Sequence, residues 1–150
     1  SNRPFHILKF RSMREELCDA DGSRSATRDD DRITRIGAII RRTSIDELPQ
    51  LINVLRGDMS LVGPRPHALG SLAGGKLFWE IDEQYWIRHA LKPGITGLAQ
   101  IRGYRGNTLA TQDLENRLSA DLEYVNSWRL WRDISIILAT AKVLIHRNAY

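Results

Sequence analysis

Residues 41–66 read RRTSIDELPQLINVLRGDMSLVGPRP, and this stretch decides how the chain is read. Two arginines lead into an adjacent acid pair, Asp46 and Glu47. Leu48, Leu51, Ile52 and Leu55 then fall at the i, i+3, i+4, i+7 spacing of one apolar helical stripe. Gly57 supplies the helix stop, MSLV a short strand, and Gly63-Pro64-Arg65-Pro66 a stiff turn. Proline on either side of Arg65 fixes the flanking φ angles and holds Arg65 extended. Acid beside cation on rigid punctuation suits phosphate chemistry at a metal. A structural turn with an incidental arginine is the plainer reading of the same four residues.

The acid pair also has two readings. Acids in a first helical turn are commonly there for the helix dipole, and Ser44-Ile45-Asp46-Glu47 fits a capping box. Pro49 complicates the box, because with Ser44 as cap the proline sits too deep and removes a helical hydrogen bond. With Asp46 as cap, Pro49 falls harmlessly in the first turn. In either register backbone N–H groups and the dipole keep the carboxylates ionised, and an ionised aspartate can be a nucleophile or a metal ligand. Arg41 and Arg42 are either a solvated basic edge or a clamp on a phosphate, for which the guanidinium fork is suited.

Outside this stretch, residues 5–13 (FHILKFRSM) predict a strand with Lys9 and Arg11 on one face. Residues 18–32 are polar and turn-rich and predict a mobile loop. Residues 33–42 suit either strand or helix. Residues 76–90 predict a helix with Phe78, Ile81, Tyr85 and Trp86 inward. Residues 92–106 hold four glycines and predict an irregular loop near a ligand or a packing corner. Helices are expected at 112–126 and 130–147, the last with Ile134, Ile137, Leu138, Ala141, Leu144 and Ile145 on one stripe. The expected fold class is α+β: a single, mainly helical compact domain over residues 1–150, with a small sheet or hairpin from 5–13 and 33–42.

Composition bounds the function. The 150 residues are 42% hydrophobic and 27% charged, which fits one folded domain with a real core. The net charge of +4 suits an anionic partner without choosing which. The single cysteine, Cys18, excludes an internal disulfide. The longest near-apolar run, Ile134 to Ala141, is too short to span a bilayer. The scattered histidines His6, His67, His89 and His146 make no zinc motif. Residues 70–76 nearly spell a phosphate loop, but Leu77 stands where Ser or Thr must hold magnesium.

Two further positions stand out. Asp121 lies on the apolar stripe of its helix, and a carboxylate there must pair with a core arginine or a cation. Trp128 and Trp131, beside Arg129 and Arg132, mark a membrane interface or a packed core with a basic rim. Asp133 reads as a first-turn helix acid.

Residues 9–13 (KFRSM), 32–42 (RITRIGAIIRR), 44–66, 92–100 (KPGITGLAQ) and 121–133 (DLEYVNSWRLWRD) together resemble the bacterial sugar transferases, the polyprenyl-phosphate phosphoglycosyl transferases. The blocks come in the family's order and span nearly the whole chain. The resemblance implies transfer of a sugar-1-phosphate from a UDP-sugar to polyprenyl (undecaprenyl) phosphate with Mg2+, starting exopolysaccharide, capsule or glycan assembly. It implies that Asp46 is the nucleophile, forming an aspartyl phosphosugar intermediate, and that Glu47 is a metal ligand or proton handler. Lys9, Arg41 and Arg65 match substrate-phosphate positions, and Asp121 joins Asp46 and Glu47 as a metal ligand. Arg42 and Asp133 match less specifically. The family's hydrophobic membrane-inserted helix and the strand after it lie upstream of KFRSM and are not in these residues. The chain is therefore expected to be the C-terminal catalytic part of an enzyme at the cytoplasmic face of the bacterial inner membrane, touching the membrane surface and no nucleic acid. A basic nucleic-acid-binding or regulatory module is the competing class, weakened by dispersed charge and the lack of a recognition motif. A membrane-associating scaffold built on the last helix is a third.

Overall fold

The computed structural model describes residues 3–17, 30–104 and 110–145. Cys18 and most of the expected 18–32 loop lie outside them. Helix α1, Arg35–Arg42, opens on Thr34, whose hydroxyl accepts from the Gly37 amide at 2.9 Å. A 3-10 turn, Ile45–Glu47, precedes α2, Gln50–Leu55. Strand β1 is Ser60–Val62; β2 and β3, Leu72–Ala73 and Lys76–Leu77, form a small antiparallel hairpin. Helix α3, Phe78–Ile81, runs into a 3-10 segment, Glu83–Ala90. Strand β4, Gly94–Thr96, leads to α4, Leu98–Ile101, then α5, Thr111–Asn126, and α6, Leu130–Ile145.

The α+β, mainly helical expectation holds, but the strands are elsewhere. Residues 5–13 form no strand; only Met13 bridges Ile33, and 35–42 is helical. The segment is extended because its amides find side-chain and turn partners instead of a sheet. The Leu8 amide donates to Asn53 Oδ1 at 3.0 Å, Asn53 Nδ2 donates to the His6 carbonyl at 2.8 Å, and the Phe10 amide donates to the Asp46 carbonyl at 2.9 Å. Asn53 is wholly buried.

The larger sheet is the parallel pair β1–β4, with Ser60 opposite Gly94 and Val62 opposite Thr96. Of the glycines in 92–106, Gly94 and Gly97 make a packing corner here, and Gly106 lies outside the described residues. A Cβ on Gly94 would lie 2.1 Å from the Gly63 nitrogen, and one on Gly97 2.3 Å from the Gly63 carbonyl oxygen. The near phosphate-loop resolves as the β2–β3 turn, where Gly74 and Gly75 adopt φ of 58° and 78°.

Helix α5 is the spine. Its N-terminal part gives Leu114 to a core with Ala73, Phe78 and Tyr85. Its C-terminal part gives Ala120 and Tyr124 to a second core with Val62, Leu98, Ala99 and Ile136. Tyr124 donates to Asp133 at 2.7 Å, so that first-turn acid ties α6 to α5.

Two predicted stripes point outward. Leu48, Leu51, Ile52 and Leu55 are exposed, while Gln50 and Asn53 face inward. Along α6, Ile134, Ile137 and Leu138 are exposed and Ile136 is the core residue; the side chains of Leu144 and Ile145 lie outside the description. Trp86, Trp128 and Trp131 are also exposed, which removes the core reading of the last two. Periodicity identifies a face and leaves its direction open.

Candidate active site

The acid pair sits on the 3-10 turn between α1 and α2. Neither proposed cap forms: Ser44 adopts a left-handed φ of 58° without a side-chain capping bond, and Pro49 takes the N-cap position of α2. Pro49 has no amide to donate, so it fits where the first turn leaves N–H groups unpaired. The result is a tight corner that buries both carboxylates, each 7% exposed.

Two cations converge on Glu47 from distant parts of the chain. The Lys9 ammonium lies 3.5 Å from Glu47 Oε1. Arg65 reaches both carboxylate oxygens, with Nη2 on Oε1 and Nη1 3.5 Å from Oε2. Burial and the Arg65 charge push the Lys9 pKa below its ordinary value, against the opposing pull of Glu47 and Asp46. Lys9 is thus close enough to feel both carboxylates.

Arg41 stands apart from this group. Its guanidinium lies 3.5 Å from the Ser12 hydroxyl, in the last turn of α1, which packs on the dyad's turn. Arg42 is exposed on the same turn.

Asp121 does not join Asp46 and Glu47. Among the described residues no three His, Cys, Asp or Glu side chains form a metal-binding group. Asp121 Oδ2 instead accepts from Arg88 Nε at 3.0 Å and Nη2 at 2.7 Å, both residues about 1% exposed. Of the two roles open to a carboxylate on an apolar stripe, the structure shows the core ion pair. Asp46 and Glu47 remain the carboxylates able to hold a divalent cation, and Mg2+ commonly takes one or two from the protein with phosphate and water as the rest.

Sequence alone gave no site role to Asn53, Arg88 or His67. Asn53 holds the 5–13 segment through Leu8 and His6. Arg88 pairs with Asp121 in the core. His67, just after the Gly-Pro-Arg-Pro turn, accepts from Arg88 at Nδ1, 2.7 Å away, and stacks on Tyr85. Burial and the charges of Arg88, Arg117 and Arg65 hold its pKa well below the usual histidine value, so it is neutral. Arg117 is pulled down to about 10 by burial and by Arg65 and Arg88.

The family model for bacterial sugar transferase matches residues 1–147. The undecaprenyl-phosphate glucose phosphotransferase of Komagataeibacter xylinus is 54% identical over 151 residues, 100% of this chain and 28% of the relative. The exopolysaccharide production protein PSS of Rhizobium leguminosarum bv. phaseoli is 53% identical, over 89% of this chain and 67% of the relative. The UDP-glucose:undecaprenyl-phosphate glucose-1-phosphate transferase of Caulobacter vibrioides is 50% identical, over 98% of this chain and 54% of the relative. The chain thus spans between about a quarter and two thirds of these relatives. With the motif blocks, the dyad and its cations in place, the chain belongs to the bacterial sugar transferase family, whose members are sugar-phosphate transferases.

Proposed function

We propose that this chain transfers a sugar-1-phosphate from a UDP-sugar to a polyprenyl phosphate through a covalent phosphosugar on Asp46. The observation that carries the reading is the buried pair Asp46–Glu47 with Lys9 and Arg65 drawn onto Glu47. The names of the relatives favour UDP-glucose as donor and undecaprenyl phosphate as acceptor.

Lys9 and Arg65 neutralise the donor's diphosphate so that a carboxylate can approach it. An oxygen of Asp46 forms a bond to the phosphorus bearing the sugar as the bond to UMP breaks, and UMP leaves with the bridging oxygen. The chain then carries an acyl phosphate. An oxygen of the polyprenyl phosphate attacks the same phosphorus, the Asp46 bond breaks, and the carboxylate returns. Glu47 orients the two cations, and with Asp46 it would hold Mg2+, which supplies charge neutralisation at the phosphates. The acid pair fits that role because two adjacent buried carboxylates leave most of the coordination to phosphate and water.

The lipid acceptor calls for a membrane surface. Among the described residues no helix is long and apolar enough to cross one. Two outward stripes suit lying on one: Ile36 and Ile39 of α1 with Leu51 and Leu55 of α2, and Trp131, Ile134 and Leu138 of α6. Apolar stripes of this kind, with tryptophan at the helix start, are what an interfacial helix buries in the headgroup region. These exposed faces support a domain that rests on the bilayer, and our reading puts it at the cytoplasmic face of the bacterial inner membrane.

The test is UMP release. The protein in lipid or detergent, given UDP-glucose and Mg2+, should release UMP, and polyprenyl phosphate should make release continuous. Failure to release UMP from any UDP-sugar would remove the reading.

A further inference from the structure

Burying a guanidinium and a carboxylate is costly, and apolar side chains of similar volume would often be at least as stable. Arg88 and Asp121 are nonetheless fully buried, and their pairing does not use up the guanidinium. Besides its two bonds to Asp121, Arg88 donates Nη2 to the Arg65 carbonyl at 2.6 Å and Nη1 to His67 Nδ1 at 2.7 Å. Both of these partners belong to the segment that carries Arg65 and Pro66. Apart from the Tyr85 ring that it overlies at 5.4 Å, the contacts of Arg88 either anchor it on α5 or grip the turn that carries the Glu47 partner.

The geometry points to Arg88 and Asp121 as positioning residues: Asp121 fixes the Arg88 fork, and the fork fixes the Arg65 backbone so that the Arg65 guanidinium lands on Glu47. This deepens the proposed function, since it rests on Arg65 and Glu47 serving the donor phosphates. It also assigns Asp121 a task other than metal ligation. Prolines 64 and 66 limit how the turn can bend but not where it sits on the fold; Arg88 supplies that second coordinate. His67 contributes by staying neutral, because only an unprotonated Nδ1 can accept from Arg88.

The variants are Asp121→Asn and Arg88→Lys, each made alone and in an Arg65→Lys background. In otherwise unaltered protein each should lower kcat for UMP release by about a hundredfold, the scale of a displaced catalytic group. The Mg2+ concentration for half-maximal rate should move by less than about twofold, since no metal ligand is lost. In the Arg65→Lys background the Asp121→Asn penalty should largely vanish, because residues acting through one another are non-additive. A general structural role would impose the same penalty in both backgrounds. A large rise in the Mg2+ requirement confined to Asp121→Asn would overturn the inference in favour of metal ligation, and equal penalties in both backgrounds would overturn it too. A readout without substrate keeps this separate from the proposed reaction. The Arg65 Nε–H NMR signal, sharp while the guanidinium is held on Glu47, should broaden in Arg88→Lys and Asp121→Asn. If it stays sharp in both, the inference fails even where UMP release succeeds; if it broadens in a protein that releases no UMP, the reaction fails and the positioning stands.

Discussion

The Lys9 ammonium lies 3.5 Å from the Glu47 carboxylate because the residues on either side of Lys9 are fastened. The Leu8 amide is held by Asn53 and the Phe10 amide by the Asp46 carbonyl. Lys9 and Arg65 thus meet on one carboxylate, Lys9 delivered by bonds to Asn53 and to the Asp46 backbone, Arg65 by a turn held at its carbonyl by Arg88.

Asn53 should matter out of proportion to its distance from the chemistry. Asn53→Ala leaves the Leu8 amide and the His6 carbonyl, both in part-buried bonds, without their partner, and each lost hydrogen bond costs roughly 0.5–1.5 kcal/mol. Urea unfolding should show a loss of about 1–3 kcal/mol. UMP release should fall as well, as Lys9 is no longer held over Glu47. A stability loss under about 0.5 kcal/mol, the range of an ordinary surface change, would mean that water replaces the clamp.

Lys9 predicts an alkaline limb. Burial lowers its pKa from the ordinary 10.5, so the ammonium is lost at lower pH than in the unfolded chain. Holding that charge disfavours the folded state, and this cost fades as pH rises from the folded pKa toward 10.5. Activity moves the other way, because only the charged form neutralises phosphate. UMP release should decline at a pH below 10.5, and Lys9→Arg should displace that decline upward. An unchanged limb in Lys9→Arg would assign it to another group.

The outward stripes predict a change in one assay and none in another. Leu55 and Leu138 are 87% and 67% exposed, so Leu55→Ser with Leu138→Ser should change stability by no more than about 0.5 kcal/mol per site. Flotation with vesicles of phosphatidylethanolamine and phosphatidylglycerol should nevertheless drop several-fold. Undiminished flotation would place the membrane contact elsewhere.

How much of this was legible in the sequence follows from what sequence patterns encode. Gly57, the MSLV strand and the helix at α5 follow from local chemistry and are where the residues suggested, whereas the acid pair sits on its own 3-10 turn rather than at the helix cap. The Asp121 pairing was also visible, because a carboxylate on an apolar stripe needs a cation. The direction of the α2 and α6 stripes was not visible, since a helix that lies against an apolar partner carries the same periodicity as one facing a core. The segment at 5–13 misled because extended backbone in a fold need not be sheet; here an asparagine side chain replaces the neighbouring strand. Arg88 and His67 stayed hidden because their partners lie 20 or more residues away, at Arg65, Asp121 and each other.

The glycine corner gives a purely structural check. In Gly94→Ala the new Cβ would stand 2.1 Å from the Gly63 nitrogen, with backbone on both sides. The β1–β4 pair cannot part without dragging Arg65, so the variant should lose about 3 kcal/mol or more and be inactive. In Gly75→Ala no atom lies within 4 Å, and only the positive φ of 78° resists it, so the loss should be about 1 kcal/mol. Comparable melting temperatures for the two variants would contradict the packing account.

Intact-protein mass spectrometry after brief incubation with UDP-glucose and Mg2+, without lipid acceptor, tests the central claim most directly. The account predicts a mass increase of one phosphosugar, mapped to Asp46, absent in Asp46→Asn and discharged by polyprenyl phosphate. UMP release with the adduct on another residue, or undiminished turnover in Asp46→Asn, would contradict it.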